Sequence, residues 1–369
     1  MNGEFCLIYN YAQHYRTEIF QAIDMEFNCD FFFGDSYLDV KKMDYSLIKR
    51  GKVFEVHNYY FGPIIYQTNV ISLLRKYNIF LMTGDTHAIS TWIFLIYSRF
   101  FKRKKIYFWN HGWYGKEPII QTLLKKIFYG MATGIFVYSH YAKNLMIKNG
   151  IPVEKIHVIH NSLAYTKQLK VREQLKELPI YRKHFNNNNF NLIFVGRLTP
   201  VKKLDLALHA IAICLKQGRK YNLTFIGDGE MMNNLKKLTK ELGLEQNVWF
   251  YGACYDEQVL GNLIYNADLC VAPGNVGLTA MHTMVFGCPV ITHNDFKWQM
   301  PEFEAIQVGK TGCFFTYGNL NSLVTQINQW FDSNRNKREE IRNNCMSEID
   351  NNWTPNFQME VFKKYIKVD

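Results

Sequence analysis

Two stretches of this 369-residue sequence set cations and glycines where an anion could be held and acted on. In the first, Gly196-Arg197-Leu198-Thr199-Pro200-Val201-Lys202 follows an apolar run and precedes a helical pattern. An arginine in such a turn can fork two phosphate oxygens and a lysine adds a point charge, so the pair suits a diphosphate. A solvated loop with two surface cations is the plainer reading. In the second, Pro273-Gly274-Asn275-Val276-Gly277-Leu278-Thr279-Ala280-Met281-His282 joins the run Leu269 to Ala272 to a helix reaching Phe286. A glycine turn at a helix start offers unpaired backbone N–H groups and the positive end of the dipole to phosphate. On one sheet edge the two loops describe a clamp for a nucleotide diphosphate, which neither describes alone. His157 and His160 stand at a strand spacing that points their rings to opposite faces, so they are not read as a metal site.

The elements that must position these loops follow from periodicity. Apolar runs at Glu4 to Asn10, Phe31 to Phe33, Ile79 to Met82, Lys105 to Trp109, Gly134 to Tyr138 and Lys155 to Ile159 alternate with helical patterns and turn residues. That alternation is the signature of parallel βα units and predicts an α/β fold. A polar, lysine-rich stretch from Tyr165 to Asn189 interrupts it. Strands resume at Asn191 to Val195, Asn222 to Ile226, Val248 to Tyr251, Leu269 to Ala272 and Pro289 to Thr292, with helices over Lys203 to Lys216 and Glu230 to Leu242. Gly196, Gly227 and Gly252 end strands, where glycine lets backbone N–H groups approach a ligand at the carboxyl edge of a parallel sheet. The expected division is a Rossmann-like domain over residues 1–165, a linker over 166–189, a second Rossmann-like domain over 190–350, and a final helix over 351–369 crossing back to the first.

Composition narrows the classes. With 48% hydrophobic residues, 16% of all residues aromatic, the chain can fill two cores, which excludes disorder. The net charge of +11 favours an anionic partner, yet no RNA- or DNA-binding module accompanies it, so nucleic acid is not expected. A dehydrogenase is disfavoured because no strand ends in Gly-x-Gly-x-x-Gly. Eight scattered cysteines without a Cys-x-x-Cys pair, and a start without a basic signal flank, point to reduced thiols in the cytoplasm. No segment reaches the roughly 18 to 20 apolar residues of a membrane span. The run Trp92 to Phe101, closed by Lys102, Arg103, Lys104 and Lys105, suits docking of residues 92–105 on an anionic leaflet, or equally an ordinary buried helix.

The second half, through GRLTPVKKLD, FIGDGE, VWFYG, ADLCVAPGNVGL, FGCPVIT and PEFEAIQVGKTG in order, resembles the donor domain of the family-4 group of retaining glycosyltransferases with the GT-B fold. The first half is similar in outline through His111-Gly112, Ser139-His140-Tyr141-Ala142-Lys143 and Val158-Ile159-His160-Asn161-Ser162. The resemblance implies two facing Rossmann-like domains with parallel sheets and a cleft between them, a nucleotide-sugar donor held by the second and an acceptor by the first. Carried over by position, Arg197 and Lys202 neutralise the departing diphosphate, while Gly196, Asn275, Gly277, Leu278 and Thr279 line its site. Asp228 and Gly229, with residues 251–259, line the base pocket. His111 falls near the reacting sugar, and its neighbours Trp109 and Trp113 could offer faces for carbohydrate stacking on the acceptor side.

The departures from the family are equally specific. Two glutamates that its members commonly carry fall here at Gly274 and His282, so neither carboxylate is present. His282 can still hydrogen-bond a ribose hydroxyl, and Glu302 or Glu304 could face the sugar in place of the earlier glutamate. The glycine-rich loop often found after the first strand is replaced by Tyr11-Ala12-Gln13-His14-Tyr15-Arg16, so Tyr15 and Arg16 become acceptor-side candidates, with Arg16 a cation where the family uses backbone amides. Without an Asp-x-Asp triplet, the implied transfer needs no metal and no cofactor beyond the nucleotide-sugar substrate, with UDP as the first guess. The acceptor implied is a glycan, or a polyprenyl-diphosphate-linked oligosaccharide at the inner face of the cytoplasmic membrane in bacterial surface-polysaccharide assembly. A nucleotide-sugar epimerase on the same fold, or a binding protein that has lost catalysis, are the alternatives.

Overall fold

The structure, a computed structural model, describes residues 4–35 and 40–367. It divides into two compact units, one running to Ala164 and resuming at Thr354, the other spanning Tyr165–Trp353.

The first unit is built on β1 (Phe5–Tyr9), β2 (Asp30–Gly34), β3 (Val53–Val56), β6 (Ile79–Met82), β7 (Lys105–Asn110), β8 (Gly134–Val137) and β9 (Ile156–Val158), all parallel, in the order β3-β2-β1-β6-β7-β8-β9. An antiparallel hairpin, β4 (Asn58–Phe61) with β5 (Ile64–Gln67), stands apart. Helices α1 (Thr17–Phe27), α2 (Ile89–Phe100), α3 (Ile119–Met131) and α4 (His140–Lys148) make the crossovers. Central strands read as unbroken apolar runs because both faces are covered: every residue of Phe5-Cys6-Leu7-Ile8-Tyr9 is buried. Two apolar layers result, one with Phe80, Phe94, Phe108 and Phe128, the other with Phe20, Phe31, Phe33 and Trp109. The second layer is completed from the far end of the chain. There α13 (Pro355–Tyr365), capped by Thr354 with proline at its first position, lays Met359 and Phe362 beside α1.

The second unit has β10 (Phe190–Val195), β11 (Tyr221–Ile226), β12 (Val248–Gly252), β13 (Leu269–Ala272), β14 (Val290–His293) and β15 (Gly312–Phe315), parallel, in the order β12-β11-β10-β13-β14-β15. Its helices are α5 (Tyr165–Arg172), α6 (Ile180–Phe185), α7 (Leu204–Lys216), α8 (Met232–Glu241), α9 (Glu257–Tyr265), α10 (Leu278–Met284), α11 (Leu320–Asn334) and α12 (Arg338–Asn352). Residues 166–189 are not a linker. They belong to this unit, with α5 packed on α9 and the buried Tyr181 hydroxyl donating to the Leu263 carbonyl at 2.7 Å. A few buried anchors, Gln168, Val171 and Tyr181, suffice to dock a stretch whose composition is otherwise polar.

In both sheets the strand order reverses beside the first strand of the unit: between β1 and β6, and between β10 and β13. Loops leaving the carboxyl ends of those strands diverge and leave a crevice, the place where open α/β sheets bind ligands.

Candidate functional site

In the second unit the reversal point is occupied by the two glycine loops. The loop after β10 and the loop after β13 are joined backbone to backbone, Gly274 N to the Lys202 carbonyl at 2.9 Å and Asn275 N to the Val201 carbonyl at 3.2 Å. Approach this close requires glycine: a Cβ on Gly274 would lie 2.1 Å from the Val201 oxygen. In this packing, position 274 has no room for a side chain unless the two loops move apart. From the far side Gln299, buried, accepts the Val276 N–H at 2.9 Å and donates to Thr292 Oγ1 and the His293 carbonyl. Thr279 pins the start of α10 to the end of β10, its hydroxyl donating to the Val195 carbonyl at 2.7 Å. Its side chain is thus a brace, while the backbone N–H groups of Gly277, Leu278 and Thr279 precede the first bond of the helix, Ala280 N to the Gly277 carbonyl.

Lys202 reaches across this junction and donates from Nζ to the Asn275 carbonyl at 2.6 Å. Burial pushes its ammonium down to about 8; Glu302 pulls it up and Arg197 pushes it further down. It is a cation held close to its neutral form, ready to gain from an added anion. Arg197 is exposed at the end of β10 and has no ion-pair partner among the described residues. Of the two carboxylates read as sugar-facing, Glu302 is buried and close enough to act on Lys202, whereas Glu304 is half-buried on the same turn, Pro301–Ala305.

Beside the junction opens a cavity of about 570 Å³, lined by Gly196, Arg197, Gly227, Asp228, Gly229 and His282, with Cys254, Tyr255 and Leu260 on its other wall. Its volume is in the range of nucleotide-sized ligands, roughly 300 to 1,000 Å³. Gly227 allows β11 to pass β10 here, since a Cβ would lie 1.9 Å from the Gly196 carbonyl oxygen. His282 points Nε2 at Glu257 Oε1, 3.1 Å away, and Gln168 Nε2 donates to the same oxygen at 3.0 Å. Burial pushes the Glu257 carboxyl up, but these two hydrogen bonds and the His282 charge outweigh it and hold it below the ordinary range. A carboxylate thus returns to the neighbourhood of the missing family glutamate from α9 instead of α10.

In the first unit the acceptor-side candidates also gather, with two exceptions. Arg16 is 6% exposed and donates from Nη2 to Tyr138 Oη at 3.0 Å. Tyr15, half-buried, lies with its ring centroid 5.8 Å from the guanidinium carbon. His111 follows β7 in a loop shaped by Asn110, whose side chain ties Gly84 to Gly112, and by Lys125, which donates to the Gly112 carbonyl and pairs with Glu117. Burial, then Arg16 and Lys125, push the His111 imidazole down to about 4, so it is neutral at pH 7. Trp109 and Trp113 are not sugar platforms. They are 0% and 2% exposed, Trp109 packed among Tyr9, Phe20 and Phe362 and Trp113 against Tyr129. Both faces of β7 are covered, so Trp109 is buried just as its neighbour Phe108 is.

Comparison with known proteins agrees with this geometry. A family model described as Glycosyl transferases group 1 matches residues 180–347, and one described as Glycosyltransferase Family 4 matches residues 43–164. The chain belongs to the family-4-like glycosyltransferases. Among solved structures similar to this family-4-like chain, Anabaena HepE in complex with UDP has a TM-score of 0.72 at 16% identity, covering 98% of this chain and 99% of that one. The lipopolysaccharide outer core galactosyltransferase WaaB has a TM-score of 0.68 at 18% identity, covering 98% and 99%. These likenesses establish the GT-B fold. Curated relatives include the alpha-monoglucosyldiacylglycerol synthase of Streptococcus pneumoniae, 27% identical over 48% of this chain and 41% of that protein. Another is the poly(ribitol-phosphate) alpha-N-acetylglucosaminyltransferase of Staphylococcus aureus, 24% identical over 53% and 36%. The chain spans less than half the length of these relatives.

Sequence reasoning missed Glu257, Gln168 and Gln299. Asp256-Glu257 at a helix start was a visible capping signal, since Asp256 accepts from Gln258 N and Val259 N. Nothing in one sequence marks Gln299 as the amide that holds the glycine loop.

Proposed function

We propose that the protein transfers a sugar from a nucleotide diphosphate, UDP-sugar by preference, to a glycan or lipid-linked oligosaccharide acceptor, with retention of configuration and without a required metal. The observation that carries this reading is the Lys202 ammonium seated on the Asn275 carbonyl, close enough to Arg197 to feel its charge, with Arg197 itself on the wall of the glycine-lined cavity. Breaking the anomeric C–O bond puts added negative charge on the departing diphosphate and positive charge on the sugar ring. Preorganised cations and backbone N–H groups at the position of the leaving group lower that barrier, by about 3 to 4 kcal/mol per well-placed donor in comparable sites. Lys202 and Arg197 supply the cations, and the backbone at 277–279 supplies donors. In this reading His111 and one of Glu302 and Glu304 serve the sugar, and Asp228, Gly229 and His282 the nucleoside. Binding of UDP and of UDP-glucose by HepE supports the choice of base.

For the lipid-linked acceptor we propose docking of the first unit on an anionic bilayer. The described residues contain no helix long and apolar enough to cross a membrane. Yet Ile119, Ile120, Leu123, Leu124 and Ile127 of α3 are 43 to 88% exposed, and Phe100 and Phe101 at the end of α2 are 79% and 50% exposed. Exposed Lys102, Arg103 and Lys126 flank them, so apolar area and charge both complement an anionic leaflet. The segment 92–105 thus contributes mainly its end, with Ile96 also exposed, because Trp92 packs against the core and donates to the Thr86 carbonyl.

Incubation of the purified protein with UDP-, GDP- and ADP-sugars, followed by mass spectrometry, tests the activity. Donor consumption or transfer that is lost in Arg197→Ala supports it. Conversion of donor to an isomeric nucleotide sugar would replace transfer by epimerisation, and binding with no turnover under any acceptor would leave a binding protein.

A further inference from the structure

Arg16 is a buried guanidinium with work left to do. Of its nitrogens Nη2 bonds Tyr138, while Nε and Nη1 are buried with no hydrogen-bond partner. No carboxylate pairs with it among the described residues. Its surroundings are aromatic, with ring centroids of Trp109, Tyr138, Tyr9 and Tyr15 at 5.0, 5.3, 5.7 and 5.8 Å from the guanidinium carbon. Rings of this kind offset only part of the cost of taking a cation out of water. Close by, His111 Nδ1 is a third buried atom with no partner among the described residues, and its ring centroid lies 4.8 Å from that of Tyr138. Arg16, His111 and Tyr138 follow β1, β7 and β8 at the carboxyl edge of the sheet, and Arg16 is on the loop that borders the β1/β6 reversal.

A cation kept here against its desolvation cost, with two donor nitrogens unspent, is arranged for an oxyanion. We infer that the acceptor, on the reading that the first unit holds it, bears an oxyanion, a phosphoryl or a carboxylate group, that accepts from the unspent donors of Arg16, with His111 at its side. Arg16 then touches a group of the acceptor, so it confers acceptor specificity. The unpaired charge makes a second consequence: removal of Arg16 relieves the apo protein of a buried ion while it empties the site.

The test uses the full chain with saturating UDP, so that the donor site is filled, and three probes: methyl phosphate, methyl glucuronide and, as neutral control, methyl glucoside. Binding is read by calorimetry and by the ring nitrogen shifts of His111, assigned through His111→Gln. Burial chiefly, and the Arg16 charge after it, hold the His111 pKa down, so an anion that offsets the Arg16 charge should raise it in wild type, while the glucoside should leave it in place. Arg16→Met should weaken the charged probe about tenfold or more while it melts no lower than wild type. A response to methyl phosphate alone assigns a phosphoryl group, and one to methyl glucuronide alone a carboxylate; both support the inference. It is overturned if neither charged probe binds wild type, or if Arg16→Met binds them equally well. It is overturned too if Arg16→Met loses UDP affinity as much as probe affinity, which would assign Arg16 to the donor. Because the wild-type titration stands on its own, a variant that fails to fold does not remove the test, and Arg16→Lys, which keeps the charge and loses the guanidinium donors, gives the intermediate case. Failure of UDP to bind at all would count against the transferase reading, whereas the probe titration repeated without UDP would still decide the role of Arg16.

Discussion

Lys202 should take up a proton when UDP binds. Its folded pKa of about 8 lies below the ordinary lysine value of 10.5, chiefly because it is buried. At pH 8 about half of the apo molecules carry a neutral amine, and a diphosphate beside it restores the charge, so binding should draw in up to about half a proton per UDP. The same linkage makes affinity fall about tenfold from pH 7 to pH 9. Stability follows the opposite slope. The unfolded chain keeps its proton to higher pH than the folded one, so apo stability should rise between pH of about 8 and 10.5, by about 3 kcal/mol at most. Lys202→Met removes both slopes. It should also weaken UDP by about 10- to 150-fold, the worth of a charge-assisted hydrogen bond of about 1.5 to 3 kcal/mol. Calorimetry in buffers of different ionisation enthalpy, at pH 8, measures the proton uptake directly. Equal uptake by wild type and Lys202→Met would refute the placement of the diphosphate on this ammonium.

Gln299→Leu should leave the Val276 N–H and Thr292 hydroxyl without their buried partner and cost about 1 to 3 kcal/mol in chemical denaturation, with a parallel loss of UDP affinity as the glycine loop loosens. Glu302→Gln should lower the Lys202 pKa further, since its carboxylate now raises it, and should reduce turnover more than Glu304→Gln; normal turnover in both would remove these carboxylates from the reaction. Ile120→Asp with Leu123→Asp should reduce co-sedimentation with phosphatidylglycerol-rich vesicles by about tenfold or more and leave the melting temperature unchanged, because both side chains are already in water. Vesicle binding unaffected by the pair would place any membrane contact elsewhere.

Strand positions were legible because buried parallel strands announce themselves as apolar runs: Ile79 to Met82 and Leu269 to Ala272 stand where periodicity set them. The edge strands β3 and β15 were not, the first because Val53-Phe54-Glu55-Val56 is half-exposed and mixed in character, the second because its four residues sit behind a glycine turn. The polar stretch at 166–189 misled for a related reason. Composition averages over all its residues, while docking depends on three side chains that meet α9 and its neighbours. Trp109 and Trp113 show the limit of reading function from residue type, since an indole near a candidate histidine stacks on sugar only if it faces solvent.

What the sequence by itself determined is the local chemistry: parallel βα units from alternating apolar runs, and glycine turns with Arg197, Lys202 and Arg16 beside them. Each depends on backbone periodicity and residue type within a few positions. Only the tertiary structure decided which groups meet. Strand order brings residues 202 and 275 into one hydrogen bond, delivers Glu257 to His282 in place of a glutamate that Gly274 and His282 do not offer, and leaves the Arg16 guanidinium without a counterion among the described residues. Those pairings join residues far apart in the chain, and their energies depend on burial, which is a property of the packed molecule and of no single segment.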